Sequence, residues 1–185
     1  MRVILASKSP RRKELLAKLF ENFEIIVSEV NEELDDGVDT LSGVEILSVR
    51  KGAKVAKENP DALVISSDTL VELDGKALGK PYDEREAFEM LRSLSGRAHN
   101  VHTGVAVHYK NKLFSGVATS AVFFRELSDA EISEYVKSGA PMDKAGAYGI
   151  QGEAGKFVLR YDGDFDTIVG LSLRLVKELI AKATE

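Results

Sequence analysis

Short apolar runs of strand length alternate along this chain with stretches whose apolar residues recur at helical spacing. Val3 to Ala6 is the first such run. Leu15, Leu16, Leu19 and Phe20 then mark a helix that Pro10 opens. Glu24 to Val27 predicts a second short strand, and Ser28 to Thr40 is acidic and irregular. Ser42-Gly43-Val44-Glu45 has the form of a capping box and predicts a long helix to about Asn59, stopped by Pro60. Ala62 to Ser67 is the most buried-looking strand and ends in Asp68-Thr69. Leu70 to Leu73, the Asp74-Gly75 turn and Lys76 to Leu78 predict a hairpin. A helix from Asp83 to Leu94 follows, with Ala87, Met90, Leu91 and Leu94 as its core stripe. Asn100 to Tyr109 and Leu113 to Arg125 predict two long strands joined at Lys110-Asn111-Lys112, and Ser128-Asp129-Ala130-Glu131 caps a helix that closes at Gly139. A glycine-rich shaped loop from Pro141 to Gly152, a strand from Phe157 to Tyr161 and an amphipathic helix from Leu171 to Ala183 complete the series. Alternating strands and helices predict an α/β fold.

Composition narrows the class. A chain of 185 residues, 44% hydrophobic and 30% charged, suits one soluble domain with a proper core. No apolar run is long enough to span a membrane, and no signal peptide is evident, so a cytoplasmic location is expected. Without cysteine there is no disulfide framework, thiolate zinc site or cysteine nucleophile. The net charge of −5 argues against a surface that coats nucleic acid. Against that acidic background, gathered basic residues read as a site for a small anion.

Four positions stand out by placement. The Ser7-Lys8-Ser9-Pro10-Arg11-Arg12 junction puts hydroxyls, guanidinium groups and free backbone N–H groups at a helix start. It reads either as a phosphate cradle or as an ordinary serine cap with two solvated arginines. Lys51 falls on the apolar stripe of Val44, Leu47 and Val55, where a lysine either snorkels or points into a site. Asp68 closes a buried strand, where open α/β sheets place ligands, or it simply forms a turn. Glu32 lies in the acidic stretch, most of whose carboxylates read as a solvated loop.

Other chemistries find little support. His99, His102 and His108 lack zinc-site spacing, and no Gly-x-Ser-x-Gly elbow or Gly-x-Gly-x-x-Gly fingerprint is present. Gly155-Lys156 is followed by Phe157 where a phosphate-binding loop needs Ser or Thr. What remains is hydroxyls, the cations Arg11, Arg12, Lys51 and Lys80, and the carboxylates Glu32 and Asp68. That set suggests metal-assisted chemistry on a polyphosphate.

SKSPRRKELL, Ser67-Asp68-Thr69, Gly79-Lys80-Pro81, MLRSLSGRAHNVHTGVAV and DKAGAYGIQG occur in an order that closely resembles the Maf family of nucleoside triphosphate pyrophosphatases, from Val3 to about Leu171. The DKAGAYGIQG loop is similar to that of the branch acting on dTTP and UTP. Asn31, Ser67 and Ser172 depart from common residues of the family without removing a charged motif position. The resemblance implies a single Maf-like domain over residues 1–185. Its fold would be a long, twisted, mixed central sheet flanked by helices, with two lobes and an active-site cleft, shared with inosine-triphosphate pyrophosphatases. It implies that Asp68 is the proton acceptor, that Arg11, Thr69 and Gln151 tune base choice, and that Ser7, Arg12, Lys51, Glu32, Lys80 and Lys144 surround the triphosphate and metal. A divalent metal (Mg²⁺, Mn²⁺ or Co²⁺) bridging to Glu32 and Asp68, a role in cleansing the nucleotide pool and a homodimer are implied as well, with no nucleic-acid or membrane partner expected. CTP or modified pyrimidine nucleotides are further candidate substrates. The competing reading is a non-catalytic nucleotide-binding regulator of septum formation. Paired carboxylates speak against it, because a pure anion binder gains nothing from added negative charge.

Overall fold

Seven strands form one mixed sheet in the computed structural model, which describes residues 1–185. They are β1 (Val3–Leu5), β2 (Glu24–Ile25), β3 (Leu63–Leu73), β4 (Lys76–Leu78), β5 (Ala98–Tyr109), β6 (Lys112–Phe124) and β7 (Val158–Asp162). Their order is β2-β1-β3-β5-β6-β7, with β4 paired to β3. The helices are α1 (Pro10–Leu16), α2 (Thr40–Glu58), α3 (Glu84–Leu94), α4 (Asp129–Lys137), α5 (Phe165–Val169) and α6 (Leu173–Thr184). The α/β class predicted from the alternation is the one observed. No helix is long and apolar enough to cross a membrane.

The pairing of β3 changes along its length. Val3, Ile4 and Leu5 of β1 run parallel to Leu63, Val64 and Ile65, whereas Val71, Glu72 and Leu73 pair antiparallel with Leu78, Ala77 and Lys76 of β4. Asp68 therefore lies in the middle of one continuous strand and does not close it, contrary to the expectation from hydropathy. The apolar run gives way at Ser66 to polar residues that are themselves buried, and the backbone continues extended. The Asp74-Gly75 turn is as predicted, with φ of 52° and 77°; the second hairpin turns on two residues, Lys110 and Asn111 with φ of 46° and 62°, instead of the three expected, because Lys112 already belongs to β6.

The chain gathers into two compact units, the first comprising Met1–Thr69, Thr103–Ala118 and Gly170–Glu185, the second Leu70–His102 and Thr119–Val169. In the first unit, Ile4, Ala6, Val55, Ala62 and Val64 form a buried cluster. The predicted stripe of α2 is buried at Val44, Leu47 and Val55. The helix begins at Thr40, however, ahead of the predicted capping box. Asp39 is its N-cap, accepting the Ser42 N–H at 3.0 Å and the Ser42 hydroxyl at 2.6 Å. Glu45 accepts the Ser115 hydroxyl at 2.6 Å and takes no part in the cap. Ser172 caps α6 by accepting the Leu175 N–H at 3.3 Å, which explains a serine there and starts the helix two residues later than predicted.

In the second unit the stripe of α3, Ala87, Met90, Leu91 and Leu94, is buried as predicted, against a core that includes Val71, Ile132, Phe124 and Phe157. The capping box of α4 is present: Ser128 accepts the Glu131 N–H at 3.2 Å and Glu131 accepts the Ser128 N–H at 3.0 Å. The loop expected from Pro141 to Gly152 is shaped by 3₁₀ turns at Ala140–Asp143 and Ala145–Ala147, and Phe157 ends a third at Glu153–Phe157, ahead of β7.

His99 gives this unit a pH dependence. Its Nε2 is 2.7 Å from the Tyr148 hydroxyl, and its ring stands edge-on to Phe124 and Tyr148 at centroid distances of 5.0 and 5.4 Å. Burial holds its pKa down from 6.5 to about 4. The unfolded chain therefore takes up a proton as pH falls through about 6.5, and the folded protein refuses it until about pH 4. Stability from this group is intact above about 6.5 and is lost progressively down to about 4, a difference worth about 3 kcal/mol. Burial shifts His102 and His108 in the same direction. Urea unfolding across that range should show falling stability, and His99→Gln should flatten the fall; parallel curves for the two proteins would exclude His99 as the cause.

Candidate active site

The loop from β1 to α1 is fixed by its own serines. Ser9 caps α1, its hydroxyl accepting the Arg12 N–H at 3.4 Å, while buried Ser7 accepts the Ser9 N–H at 3.2 Å. The Arg12 side chain turns back over this loop. Its Nε donates to the Gly170 carbonyl at 2.8 Å, Nη2 to Thr69 Oγ1 at 3.1 Å and Nη1 to Ser7 Oγ at 3.4 Å. The Ser67 hydroxyl donates to the same Gly170 carbonyl at 2.9 Å, so that oxygen uses both lone pairs. Gly170 has φ of +127°, a conformation open to glycine and strained for other residues. Thr69 Oγ1 is also 3.0 Å from Thr103 Oγ1. Burial pushes the Arg12 guanidinium below its ordinary pKa; Asp68 pulls it back up, Arg11 adds to the fall and Glu32 opposes it. An arginine keeps its charge through such a shift. Arg12 is therefore not a solvated arginine; Arg11, next to it, is half-buried.

The second cluster is built on α2. Gly52 lets this helix lie close to the sheet, since a Cβ there would sit 2.5 Å from Ser66 Oγ. The approach carries the adjoining Lys51 to Asp68, and the ammonium donates a short hydrogen bond to Asp68 Oδ1. Glu32 Oε1 lies 3.3 Å from the same Lys51 Nζ. Asp68 is only 6% exposed, so its partner is a cation held largely out of water. Lys51 does not snorkel: it joins two carboxylates.

Asp68 points to one face of β3, while Ser67 and Thr69 point to the other, as strand alternation requires. Asp68 therefore meets Lys51 on α2, and its two neighbours meet the Arg12–Gly170 network. Seven of the residues singled out in sequence, Ser7, Arg11, Arg12, Glu32, Lys51, Asp68 and Thr69, belong to the first compact unit.

Lys80, Lys144 and Gln151 belong to the second. Lys80 is exposed and follows Gly79, whose carbonyl accepts the Gly146 N–H at 3.0 Å and so ties that turn to the glycine-rich loop. Lys144 Nζ donates to the Ala140 carbonyl at 2.6 Å and to Asp143 at 2.8 Å. Ala147 is fully buried with φ of +63°, a strained conformation costing about 1–3 kcal/mol that the surrounding loop must hold in place. Gln151 is exposed.

Sequence reasoning missed Arg50 and the Gly170 carbonyl. Arg50 Nη1 donates to the carbonyls of Asn31 and Glu33, at 3.2 and 2.6 Å. Its one signal in sequence is its place beside the anomalous Lys51.

Residues 2–183 match the model of the family described as Maf-like protein. A dTTP/UTP pyrophosphatase of Bacillus velezensis is 46% identical over 186 residues, 98% of this chain and 98% of that one. Proteins of the same description from Bacillus cereus and Bacillus thuringiensis subsp. konkukian are each 47% identical over 179 residues, 96% of this chain and 94% of theirs. Among solved structures, that of the Staphylococcus aureus Ham1 protein superposes with a TM-score of 0.52 at 16% identity, over 100% of this chain and 94% of that one. That likeness concerns the fold alone.

Proposed function

This chain belongs to the family of Maf-like proteins, and from that premise we propose that it hydrolyses dTTP and UTP between the α- and β-phosphates, releasing pyrophosphate and leaving the monophosphate. The observation that carries the reading is the Glu32–Lys51–Asp68 array, on a chain 46% identical to a dTTP/UTP pyrophosphatase. A binder of triphosphate alone would be weakened by two carboxylates. A phosphoanhydride hydrolase needs them.

Asp68 takes the proton of the attacking water, and Lys51 holds the carboxylate in one orientation while offering positive charge to the phosphates. Arg12, with three protein acceptors already fixing its plane, keeps further N–H donors for phosphate oxygens and stabilises the charge gathering on the departing pyrophosphate. Ser7 orients that guanidinium. Two carboxylates, Glu32 and Asp68, fit a hard divalent ion such as Mg²⁺, Mn²⁺ or Co²⁺, which takes one or two protein carboxylates and completes its shell with substrate oxygens and water. When bound, such an ion supplies charge neutralisation and alignment of the phosphates. Arg11, Thr69 and Gln151 are assigned to base choice and Lys80 and Lys144 to further charge neutralisation, on the resemblance of their motifs.

We also take residues 1–185 as one Maf-like domain, since β3, β5 and β6 each contribute to both compact units and the family match runs through both. A cytoplasmic homodimer that removes unwanted pyrimidine nucleotides completes the proposal.

The test is pyrophosphate release from a panel of nucleoside triphosphates with Mg²⁺ or Mn²⁺. UTP and dTTP are expected to be the best substrates, CTP weaker, and ATP and GTP poor. A glutamine offers one donor and one acceptor, matching the adjacent carbonyl and N–H shared by uracil and thymine. Gln151→Glu loses the donor and adds charge, so kcat/KM for UTP should fall about tenfold or more. Preference for ATP would overturn the substrate assignment, and no turnover of any triphosphate would favour the regulator.

A further inference from the structure

Glu32 lies in a stretch with no regular secondary structure, between Ile25 and Thr40, and its carboxylate is well exposed. Such a side chain would ordinarily wander. Three hydrogen bonds hold the backbone on either side of it. Arg50 Nη1 donates to the Asn31 carbonyl at 3.2 Å and to the Glu33 carbonyl at 2.6 Å, one residue before and one after Glu32. The Asn31 side-chain oxygen accepts the Glu33 N–H at 2.8 Å, closing a turn around Glu32. Arg50 precedes Lys51 in α2, so the side chain that holds the backbone around Glu32 and the ammonium that meets its carboxylate come from adjacent residues of one helix.

We propose that Arg50 and Asn31 form a clamp that positions Glu32: the Arg50 guanidinium brackets the Glu32 backbone through the carbonyls of Asn31 and Glu33, and thereby aims the Glu32 carboxylate at the Lys51–Asp68 pair. The inference rests on the proposed role of Glu32 in holding the divalent ion. Arg50 is a positioning residue and touches neither substrate nor metal. Its guanidinium is suited to the task because its charged N–H donors have fixed directions, and charge-assisted bonds to carbonyls are stronger than neutral ones. The clamp also gives the Asn31 amide a role. A carboxylate there could close the same turn but would add a negative charge beside Glu32, whereas the amide closes it without one.

Arg50→Ala should raise the metal concentration needed for half-maximal pyrophosphate release about tenfold, with kcat at saturating metal within about twofold of wild type. Arg50→Lys, keeping a cationic donor, should recover part of the loss. Combined with Glu32→Gln, Arg50→Ala should add less than about twofold, because the group it positions is gone. An unchanged metal requirement in Arg50→Ala, or an equal penalty with and without Glu32, would overturn the clamp. A second readout needs no turnover: Mn²⁺ binding to the nucleotide-free protein, followed by loss of the free-ion EPR signal. It should weaken in Arg50→Ala and be indifferent to Arg50 once Glu32 is Gln. If the wild-type protein hydrolysed no triphosphate, the proposed activity would fail while the Mn²⁺ series still decided the clamp. Equal Mn²⁺ binding by wild type and Arg50→Ala would reject it.

Discussion

The Asp68→Asn protein is expected to fold and to lose turnover by about a thousandfold or more. An amide cannot accept the proton of an attacking water, and it is a poorer metal ligand. It still offers Lys51 an oxygen, and Lys51 keeps Glu32 at 3.3 Å, so the buried ammonium is not stranded. The melting temperature should accordingly stay within about 4 °C of wild type. Triphosphate affinity should hold or improve, because the substituted site no longer repels the phosphates. Single-turnover assays at saturating metal, with equilibrium binding of dTTP, separate these effects. A folded Asp68→Asn protein that kept more than a tenth of wild-type turnover would remove Asp68 from the chemistry.

Lys51→Met should be damaging in two ways at once. Read from sequence as a side chain that points into a site, Lys51 would cost activity and little stability on removal. The contacts revise that expectation. Lys51 is the cation for Asp68, whose side chain is 9% exposed, and removing it leaves a carboxylate in a low-dielectric setting beside a second one. Stranding a buried charge in this way costs about 3 kcal/mol, although the methionine stem replaces most of the packing. Turnover should fall about a hundredfold or more, through the lost charge at the phosphates and the lost orientation of Asp68. The double variant Lys51→Met/Asp68→Asn should regain stability relative to Lys51→Met, since it removes the unpaired charge. Equal melting temperatures for the two would show that the pair carries no such penalty.

Much of this is legible in the amino-acid sequence, because it depends on periodicity. The stripes of α2 and α3 are read at 3.6-residue spacing, and the α4 cap is a local exchange between Ser128 and Glu131. Lys51 was conspicuous because a cation interrupted an apolar stripe. What sequence misplaced depended on neighbours remote in the chain. Asp68 looks like a strand end because the apolar run gives way there to Ser66, Ser67 and Asp68, polar residues that stay buried through their own hydrogen bonds. Ser42 looked like the cap because Asp39 and Ser42 are both good cap residues, and the backbone geometry at Asp39 chooses between them. Arg50 was silent because its partners are backbone carbonyls, which every residue carries.

The middle of β3 places three consecutive residues in contact with different groups: Ser67 and Thr69 with the Arg12–Gly170 network, Asp68 with Lys51. A strand has a phase as well as a composition. Slip it by one residue and the carboxylate faces the guanidinium network while a hydroxyl faces the ammonium, with every residue type still present. Divergence in this stretch is therefore constrained in length as well as in residue type. An inserted or deleted residue between Leu63 and Thr69 would invert the chemistry of both faces together.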